Sequence, residues 1–342
     1  MPDEGRKRRR FSSWILLRRL LTIALAVVVI ALLVHWARTV KWADVLAALQ
    51  NYPMSTLAAA VGIAVLSHLM YSTYDLIGRH QTGHALRPRQ VLGVAFVSYA
   101  FNLNLGSLVG GFAMRYQLYA RLGLSTPVIT QVLGLSLLTN WLGYAFVAGT
   151  AFALSPPELP ASWALGSVGL RALGGALVAV VFGYVGLCFA ARRREWTIRG
   201  HRVVLPSGAV ALWQLGVSVA NWALIAGVVY VLMQQHVAYA SVLCVLLIAA
   251  IAGVITHVPA GLGVIEAVFI ALLSGQVPQA ELIAALLAYR AIYYLAPLGI
   301  AVALLFALEV RGSRGSRGAC ESAADTDRHT GRRSIANSSY TR

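Results

Sequence analysis

The sequence predicts an all-α polytopic membrane protein, and two features of its composition support this class. Hydrophobic residues make up 58% of the 342 residues and charged residues only 12%, about half the charged fraction of an average soluble domain. Five tracts contain no Asp, Glu, Lys or Arg: Leu20–Ala37, Val45–Tyr74, Val91–Met114, Leu122–Pro157 and Val203–Ile265. A helix spans the hydrocarbon core with about 20 apolar residues. The composition therefore excludes a soluble enzyme, a disordered protein and a disulfide scaffold.

The net charge of +16 comes from 28 basic and 12 acidic residues, and most basic residues lie in short loops and terminal segments. This distribution favours a topology signal and contact with anionic phospholipid, and not nucleic-acid binding. Basic segments stay in the cytoplasm, so the N-terminal residues 1–13 and the loops around Arg87 and Arg193 are predicted to be cytoplasmic. Residues 155–162 contain no basic residue and are predicted to form a periplasmic linker. The Arg-rich tail, 311–342, is predicted to be cytoplasmic and disordered.

Six apolar segments have the length of complete spans. Their predicted ranges are about 14–34, 53–77, 127–154, 163–191, 208–233 and 282–308. Two further segments, 91–123 and 241–275, contain Gly or Pro interruptions and must enter and leave on one side for the charge pattern to hold. We predict both as re-entrant hairpins, the first entering from the cytoplasm and the second from the periplasm. Such backbone is tolerated only where protein or water covers it.

The order of these segments predicts an inverted-topology repeat. Residues 14–154 form the first membrane repeat and residues 163–310 the second, and each consists of two spans, a hairpin and a span, in opposite orientations. In transporters of this plan the broken segments meet near the midplane and form the binding site. A short internal similarity supports the match, because GGFAMR (110–115) and GLGVIE (261–266) each place a charge five residues after the first glycine.

Four segments resemble the flippase-like membrane domain family, which includes the transmembrane half of the lysylphosphatidylglycerol synthases and stand-alone bacterial inner-membrane proteins. They are FNLNLGSLVGGFAMRYQLYARLGL (101–124), SLLTNWLGY (136–144), ITHVPAGLGVIEAVFIALL (255–273) and LLAYRAIYYLAPL (286–298). The resemblance covers about residues 14 to 310 and is closest to the stand-alone members. It implies a multi-pass protein of the bacterial inner membrane that translocates a lipid.

The second hairpin resembles the family pattern Pro-Gly-Gly-x-Gly-x-x-Glu. Pro259, Gly261, Gly263 and Glu266 match it, and Ala260 replaces a glycine. We therefore include Gly261 and Gly263 among the candidate substrate-binding residues.

The first hairpin resembles the family pattern Gly-Asp-x-x-Arg less fully. Gly111 and Arg115 match it, but Phe112 replaces the acid. The synthases also carry a soluble aminoacyl-transferase domain, whereas only a polar tail follows the last predicted span here. We therefore do not expect aminoacylation.

Two charged residues in the predicted hairpins are the strongest candidates for a site. Glu266 is the only acidic residue between Glu195 and Glu281, and an ionisable group at bilayer depth costs at least ~2.5 kcal/mol unless it has a cavity or a partner. It is a candidate substrate contact or proton site, with a structural ion pair as the alternative. Arg115 follows a Gly-rich break, and its guanidinium matches phosphate through paired hydrogen bonds. The alternative is that Arg115 reaches the cytoplasmic headgroups.

Two helical faces carry further polar residues. His68, Tyr71, Asp75 and Arg79 share one face of the helix at 53–77. One interpretation is a polar stripe along a transport path, which makes Asp75 and His68 candidate proton or ion-pair sites. The other is an ion pair between Asp75 and Arg79.

On the last helix, Arg290 and Tyr294 lie on one face and are candidate substrate-binding residues. Arg290 is also a candidate partner for Glu266, in a bridge that is structural, a gate or both. Asn104 and Asn140 lie within apolar tracts and are candidates for hydrogen bonds between helices or to substrate. His257 is a candidate proton site, with a packed core histidine as the alternative.

Motifs for enzymatic activity, metals and cofactors are lacking in the sequence. It contains no Walker A lysine motif and no G-x-S-x-G elbow, and its three cysteines form no C-x-x-C. We therefore expect no enzyme, no cofactor and no metal. The leading hypothesis is a translocator of a phospholipid or polyprenyl-linked lipid, whose headgroup crosses through a polar cavity between the hairpins. The alternatives are a proton-coupled carrier of a small solute with a closed cavity, and a non-transporting scaffold for lipid-synthesis enzymes.

Overall fold

The computed structural model describes residues 52–156, 166–191, 195–198, 201–256 and 258–307, together with Ala43, Ala47 and Gln50. The predictions for residues 1–34, for His257 and for the tail 311–342 lie outside the described residues, as does most of the linker 155–162.

The described part of the chain is almost entirely helical. Its α-helices are α1 (Met54–Ser72), α2 (Tyr74–Thr82), α3 (Pro88–Leu105), α4 (Met114–Arg121), α5 (Thr126–Leu154), α6 (Ser167–Ala190), α7 (Gly208–Leu232), α8 (Tyr239–Thr256), α9 (Val264–Leu273) and α10 (Gln279–Tyr289). A π-helical segment, Ser107–Ala113, lies between α3 and α4, and another, Arg290–Leu295, follows α10 directly. A single 3-10 turn, Pro259–Gly261, lies between α8 and α9.

Six helices among the described residues are long and apolar enough to cross a membrane: Met54–Thr82, Thr126–Leu154, Ser167–Ala190, Gly208–Leu232, Tyr239–Thr256 and Gln279–Ala307. The predicted all-α polytopic class is therefore confirmed. Five of the six correspond to predicted spans. The sixth, α8, was predicted as one arm of a re-entrant hairpin, so the path of that segment through the bilayer and the inverted repeat stay predictions.

Local sequence signals set the ends of the helices around the first predicted hairpin. The helix α2 ends at Gly83, whose φ of +65° is the left-handed conformation that glycine adopts without strain. The helix α3 begins with Pro88, and the Gln90 side chain accepts a hydrogen bond from the Arg87 N–H at 3.0 Å. Together these signals separate two helices by a short loop.

The first broken segment turns at Gly106, where φ is +81°. After this residue the π-helical segment and α4 pack back against α3. The approach is close at Gly110, because a Cβ atom there would overlap backbone atoms of Phe101 and Asn102. The two glycines therefore have different uses: Gly106 breaks the helix and Gly110 permits the contact.

The second broken segment turns between α8 and α9, and α9 packs against α8. Its backbone adopts positive φ at Ala260 (+57°), Gly261 (+58°) and Gly263 (+76°). Two of these positions are glycine, which accepts this conformation freely, whereas Ala260 adopts it at a cost.

The core joins the two halves of the sequence. The helix α1 packs along α7, and α5 packs against both α6 and α7. The largest cluster of buried apolar residues lies among α7, α8, α9 and α10, and includes Leu232, Phe269 and Leu286. The second broken segment is thus packed into the core of a helical bundle.

One short hairpin departs from the helical architecture. The strands β1 (Glu195–Ile198) and β2 (His201–Val204) pair antiparallel, with Ile198 opposite His201 at the turn. They lie in the predicted cytoplasmic loop between α6 and α7, where β-branched and aromatic residues favour strands.

Candidate functional site

A cavity of about 480 Å³ lies where the two broken segments approach each other. Gly106 and Ser107 of the first break line it, as do Ala260 and Gly261 of the second. The remaining lining residues come from the surrounding helices: Tyr71, Tyr99, Asn102, Leu103, Leu105, Asn140, Trp222, Ile225, Leu246, Ala249, Ala250, Gly253, Val254, Val258, Ile265, Tyr289, Tyr293 and Tyr294. Among the described residues that line the cavity, none carries a charge. Its volume is in the range of small-molecule sites.

The edge of the cavity is apolar and open to the exterior of the bundle. Leu105 is 42% exposed and Val254 is 51% exposed, and both line the cavity. Leu105 ends α3 just before the first break, and Val254 lies in the last turn of α8 before the second. The cavity therefore reaches the surface between these two helix ends.

The inner wall of the cavity is built from hydrogen-bonded tyrosines. The Tyr71 and Tyr99 rings stack with their centroids 3.5 Å apart. The Tyr99 and Tyr293 hydroxyls lie 3.0 Å apart, and the Tyr293 hydroxyl is 2.7 Å from the Ser67 hydroxyl. The Ser67 hydroxyl in turn donates to the Asn221 side chain at 2.8 Å. The wall is therefore both aromatic and polar, with its hydroxyl groups held in place.

A buried ion pair fixes the second break from behind this wall. Arg290 donates from Nε to Glu266 Oε1 at 2.5 Å and from Nη2 to Oε2 at 3.1 Å. Its Nη1 and Nη2 also donate to the carbonyl oxygens of Ala260 and Gly261, at 3.0 and 3.1 Å. The predicted pairing of Arg290 with Glu266 is thus present, and the same guanidinium holds the turn at Ala260.

A second buried ion pair attaches the first broken segment to a spanning helix. Arg115 Nε lies 3.3 Å from Asp75 Oδ2, and Arg115 Nη1 donates to the Ser136 hydroxyl at 3.3 Å. The Tyr119 hydroxyl donates to Asp75 Oδ2 at 2.7 Å. Asp75 was predicted to pair with Arg79 in one interpretation, but Arg79 Nε instead donates to the Leu86 carbonyl.

A tyrosine of the cavity wall packs on each of the two arginines. The Arg115 guanidinium lies 5.9 Å from the centre of the Tyr71 ring, and the Arg290 guanidinium lies 5.5 Å from that of Tyr294. Both distances are within the range of cation–π attraction. Both arginines are buried, and neither lines the cavity. Each is therefore held by an acid on one side and an aromatic ring on the other.

The structure brings only some of the predicted substrate-binding residues to the cavity. Asn140, Gly261 and Tyr294 line it. Arg115, Glu266 and Arg290 lie behind the wall in ion pairs, as described above, and Gly263 caps α9. The position of Arg115 gives no support to direct phosphate binding in this state, because Asp75 already matches its charge. Nor does Arg115 reach the bilayer surface, because it is buried.

Two further candidates take part in packing contacts. The Asn104 side chain donates to the carbonyls of Ala100 and Tyr294, at 2.8 and 3.1 Å, which joins α3 to the π-helical segment of the last span. His68 is buried, with its ring 4.6 Å from that of Tyr293, and its Nδ1 is 3.0 Å from the Ala64 carbonyl. Both therefore stand next to the cavity wall.

Sequence reasoning missed Tyr99, Tyr289, Trp222 and Asn102 as cavity residues. The only sequence signal for three of them is their position beside residues that were already candidates. Tyr99 and Asn102 lie within two helical turns before the Gly106 break, and Tyr289 directly precedes Arg290. Within the described part of the chain, no group of three His, Cys, Asp or Glu residues is placed to hold a metal ion.

Residues 23–301 match the family described as the lysylphosphatidylglycerol synthase TM region. The chain belongs to this family. The predicted resemblance is therefore confirmed, and the matched range contains both breaks and both ion pairs of this lysylphosphatidylglycerol synthase TM-region protein.

Two relatives extend the comparison. The inner membrane protein YbhN of Escherichia coli (strain K12) is 45% identical over 302 residues, which cover 88% of this chain and 95% of YbhN. The uncharacterized protein slr0712 of Synechocystis sp. (strain ATCC 27184 / PCC 6803 / Kazusa) is 33% identical over 279 residues, covering 81% of this chain and 86% of the relative. With its apolar helices, this member of the lysylphosphatidylglycerol synthase TM-region family is a multi-pass inner-membrane protein.

Proposed function

We propose that the protein is a lipid translocator, which passes the headgroup of a phospholipid or polyprenyl-linked lipid through the cavity while the acyl chains stay in the bilayer. The observation that carries this proposal is the contrast between the polar aromatic interior of the cavity and its exposed apolar edge at Leu105 and Val254. A lipid has the same two parts, and each part would meet a surface of its own polarity.

The apolar edge favours a lipid over a small polar solute. A solute carrier was expected to enclose its cavity, because a route that opens sideways to hydrocarbon gives a water-soluble substrate no entrance. Leu105 and Val254 are exposed apolar side chains at helix ends, and such side chains meet acyl chains at no cost. Lateral entry of a lipid between these two helix ends accounts for the exposure of both residues at the edge of the cavity.

The headgroup contacts follow from the residues at the cavity surface. Asn140, Gly261 and Tyr294 are the predicted candidates that line it. Trp222 and Tyr289 add ring faces. These groups recognise a headgroup by hydrogen bonds and stacking, and the two arginines act through the walls that they stabilise.

The basic loops provide the second part of the proposal. Both termini lie in the cytoplasm in this proposal, where anionic phospholipid attracts the arginines of the loops and the tail. Accessibility labelling of single cysteines in the loop at Arg87 tests this orientation. In the alternative of a scaffold for lipid-synthesis enzymes, truncation of the tail abolishes function and filling the cavity has no effect.

The test is transfer of a fluorescent phospholipid between the leaflets of reconstituted vesicles, with a variant that fills the cavity. Gly253 lines the cavity, and a Cβ atom there meets only Gly261 Cα at 3.8 Å. Gly253→Leu should therefore fold and occupy the headgroup space. Gly216 lies on the exposed face of α7, and a Cβ atom there would meet no other atom within 4 Å, which makes Gly216→Leu the matched control.

The expected result is transfer by the native protein and by Gly216→Leu, with at least about tenfold slower transfer by Gly253→Leu, a change of about 1.4 kcal/mol in the barrier. Equal transfer by native protein and empty vesicles overturns the proposal. Equal transfer by the two leucine variants would show that lipid moves without using this cavity.

A further inference from the structure

Unpaired buried polar atoms are concentrated in the first half of the bundle. Within the described residues, the buried side-chain atoms that have no hydrogen-bond partner in the protein are His68 Nε2, Tyr74 OH, Asp75 Oδ1, His84 Nε2, Ser98 Oγ, Arg115 Nε and Nη2, and Asn221 Nδ2. All but the last belong to residues 68 to 115. Buried polar groups almost always find partners, and internal water supplies those that the protein does not.

A series of contacts links several of these residues and begins in the loop after α2. His84 Nδ1 accepts a hydrogen bond from the Leu86 N–H at 3.4 Å. In the neutral ring Nε2 therefore carries the proton, and this is the unpaired atom. The His84 ring lies 6.4 Å from the Tyr119 ring, whose hydroxyl donates to Asp75. The series thus leads from a partly exposed loop to a fully buried carboxylate.

The series continues from Asp75 to the cavity wall. Arg115 pairs with Asp75 and lies over the Tyr71 ring, which stacks on Tyr99 and lines the cavity. Ser98 precedes Tyr99 on α3 and also has an unpaired hydroxyl. It lies one turn after Val94, which belongs to the same buried cluster as Tyr119. Because α4 packs back against α3, we infer that Ser98 lies near the level of Arg115, which is one turn before Tyr119 on α4.

We propose that this series is a hydrated proton pathway from the His84 loop to the tyrosine wall of the cavity, with Asp75 as its internal proton carrier. The groups that face Asp75 are Arg115 and Tyr119 on α4, with His84 in the loop. Arg79 lies one turn further along α2, and α3 contributes Arg89 at its exposed start. The helices α5 and α7, which also pack against α2, contain no charged residue.

The proposed step is a proton transfer without other chemistry. The Asp75 carboxylate accepts a proton delivered along the water and becomes a neutral carboxylic acid. Arg115, which lies next to Tyr71, keeps its positive charge but no longer has the negative charge of Asp75 beside it. If the proposed lipid transport is correct, the unpaired Arg115 charge then attracts the phosphate of a headgroup in the cavity across the Tyr71 ring, which links proton uptake to substrate. The pathway itself does not depend on the identity of the substrate.

The burial of His84 agrees with its place at the entrance. Burial, and then the nearby Arg79 charge, lower the pKa of His84 from its usual 6.5. The ring is therefore neutral at pH 7, and its unpaired Nε2–H is available to donate to water.

The first test asks whether water reaches Ser98. In a parent with Cys320→Ser, the remaining Cys188 and Cys244 are both buried and provide the baseline. Ser98→Cys and Ala100→Cys are compared, because both positions are fully buried on α3 and Ala100 belongs to an apolar cluster. A small cationic methanethiosulfonate reagent reacts with the thiolate, which forms only in contact with water. We expect Ser98→Cys to react at least about tenfold faster than Ala100→Cys, and equal slow reaction of both overturns the pathway.

The second test measures proton movement out of acid-loaded vesicles with an internal pH dye. Asp75→Asn and His84→Gln should each slow it at least about fivefold, whereas Glu281→Gln, at an exposed carboxylate, should leave it unchanged. Because His84 lies in a loop, the His84→Gln variant should fold and can test the proposal even if Asp75→Asn does not fold. Proton movement that neither variant alters overturns the proposal. Fast labelling of Ser98→Cys without lipid transfer by the native protein counts against the proposed function alone.

Discussion

Arg115 and Glu266 stand at matching places in the two broken segments and carry opposite charges. Each lies in the first turn of the helix that follows its break, and each pairs with a buried residue of a spanning helix, Asp75 or Arg290. The pairs differ in completeness. Arg290 donates four hydrogen bonds, whereas one is found for Arg115. The second pair therefore holds its turn rigidly, and the first retains unpaired groups.

Loss of the carboxylate at Glu266 should destabilise the protein strongly. Glu266→Gln leaves the Arg290 charge buried without a counter-charge, a change that costs about 3–5 kcal/mol in folded proteins. Glu281→Gln is the control, because Glu281 forms a half-exposed pair with His236 that contributes at most about 1 kcal/mol. Thermal unfolding in detergent compares the two, and similar midpoints would contradict a structural role for the Glu266 pair.

Relief of backbone strain at Ala260 should stabilise the protein. Ala260 has φ of +57°, and glycine removes the left-handed penalty at a smaller entropic cost, for a net gain of about 0.5–1 kcal/mol. Ala267→Gly on the exposed face of α9 should instead lose about 1 kcal/mol. Unfolding midpoints that shift in opposite directions are the expected result, and a fall for both variants would argue against strain.

A methyl group at Gly110 should disrupt the first broken segment. Its Cβ would overlap the Phe101 and Asn102 backbone, and such overpacking costs about 1–3 kcal/mol. Gly93→Ala, which meets no atom within 4 Å, should be neutral or slightly stabilising in α3. The yield of monodisperse protein and the unfolding midpoint distinguish them; a stable Gly110→Ala variant would show that this contact is loose.

Acid should destabilise the native protein more than a His84→Gln variant. Since burial lowers the pKa of His84 below 6.5, the folded state binds fewer protons than the unfolded state once the pH falls through this value. The contribution of His84 to stability is thus present at pH 7 and is lost as the pH falls below about 6.5. As the pH is lowered from 7.5 to 5, the unfolding midpoint should fall less steeply for His84→Gln than for the native protein. Parallel curves for the two proteins would show that His84 does not cause the loss of stability in acid.

Two features of the sequence, its charge-free tracts and its few acidic residues, made the spans and the Glu266–Arg290 pair predictable. Apolar length predicts five of the six candidate spans among the described residues, because hydrocarbon excludes charge along a whole helix. The same rarity made Arg290 a candidate partner for Glu266, the one acid in its long tract. Hydropathy could not say whether α8 crosses the bilayer or returns, since both need a helix of the same composition.

The Asp75–Arg115 pair shows what the sequence could not predict. Arg79 is four residues from Asp75 on one helix, which is the spacing of a local ion pair. The observed partner is 40 residues away and becomes a neighbour only after α4 folds back along α3 at Gly106. The assembly of the tyrosines into one wall was missed for the same reason, because Tyr71, Tyr99 and Tyr293 come from three different segments.

The opposite signs of Arg115 and Glu266 have an electrical consequence. Each half of the described bundle contributes one cation and one anion next to the cavity, so their fields largely cancel inside it. Binding in the resting state should therefore depend little on ionic strength, which screens separated charges but not matched buried pairs. Salt should instead weaken the attraction of the basic loops for anionic lipid, and a titration with sodium chloride would separate capture at the membrane surface from occupancy of the cavity.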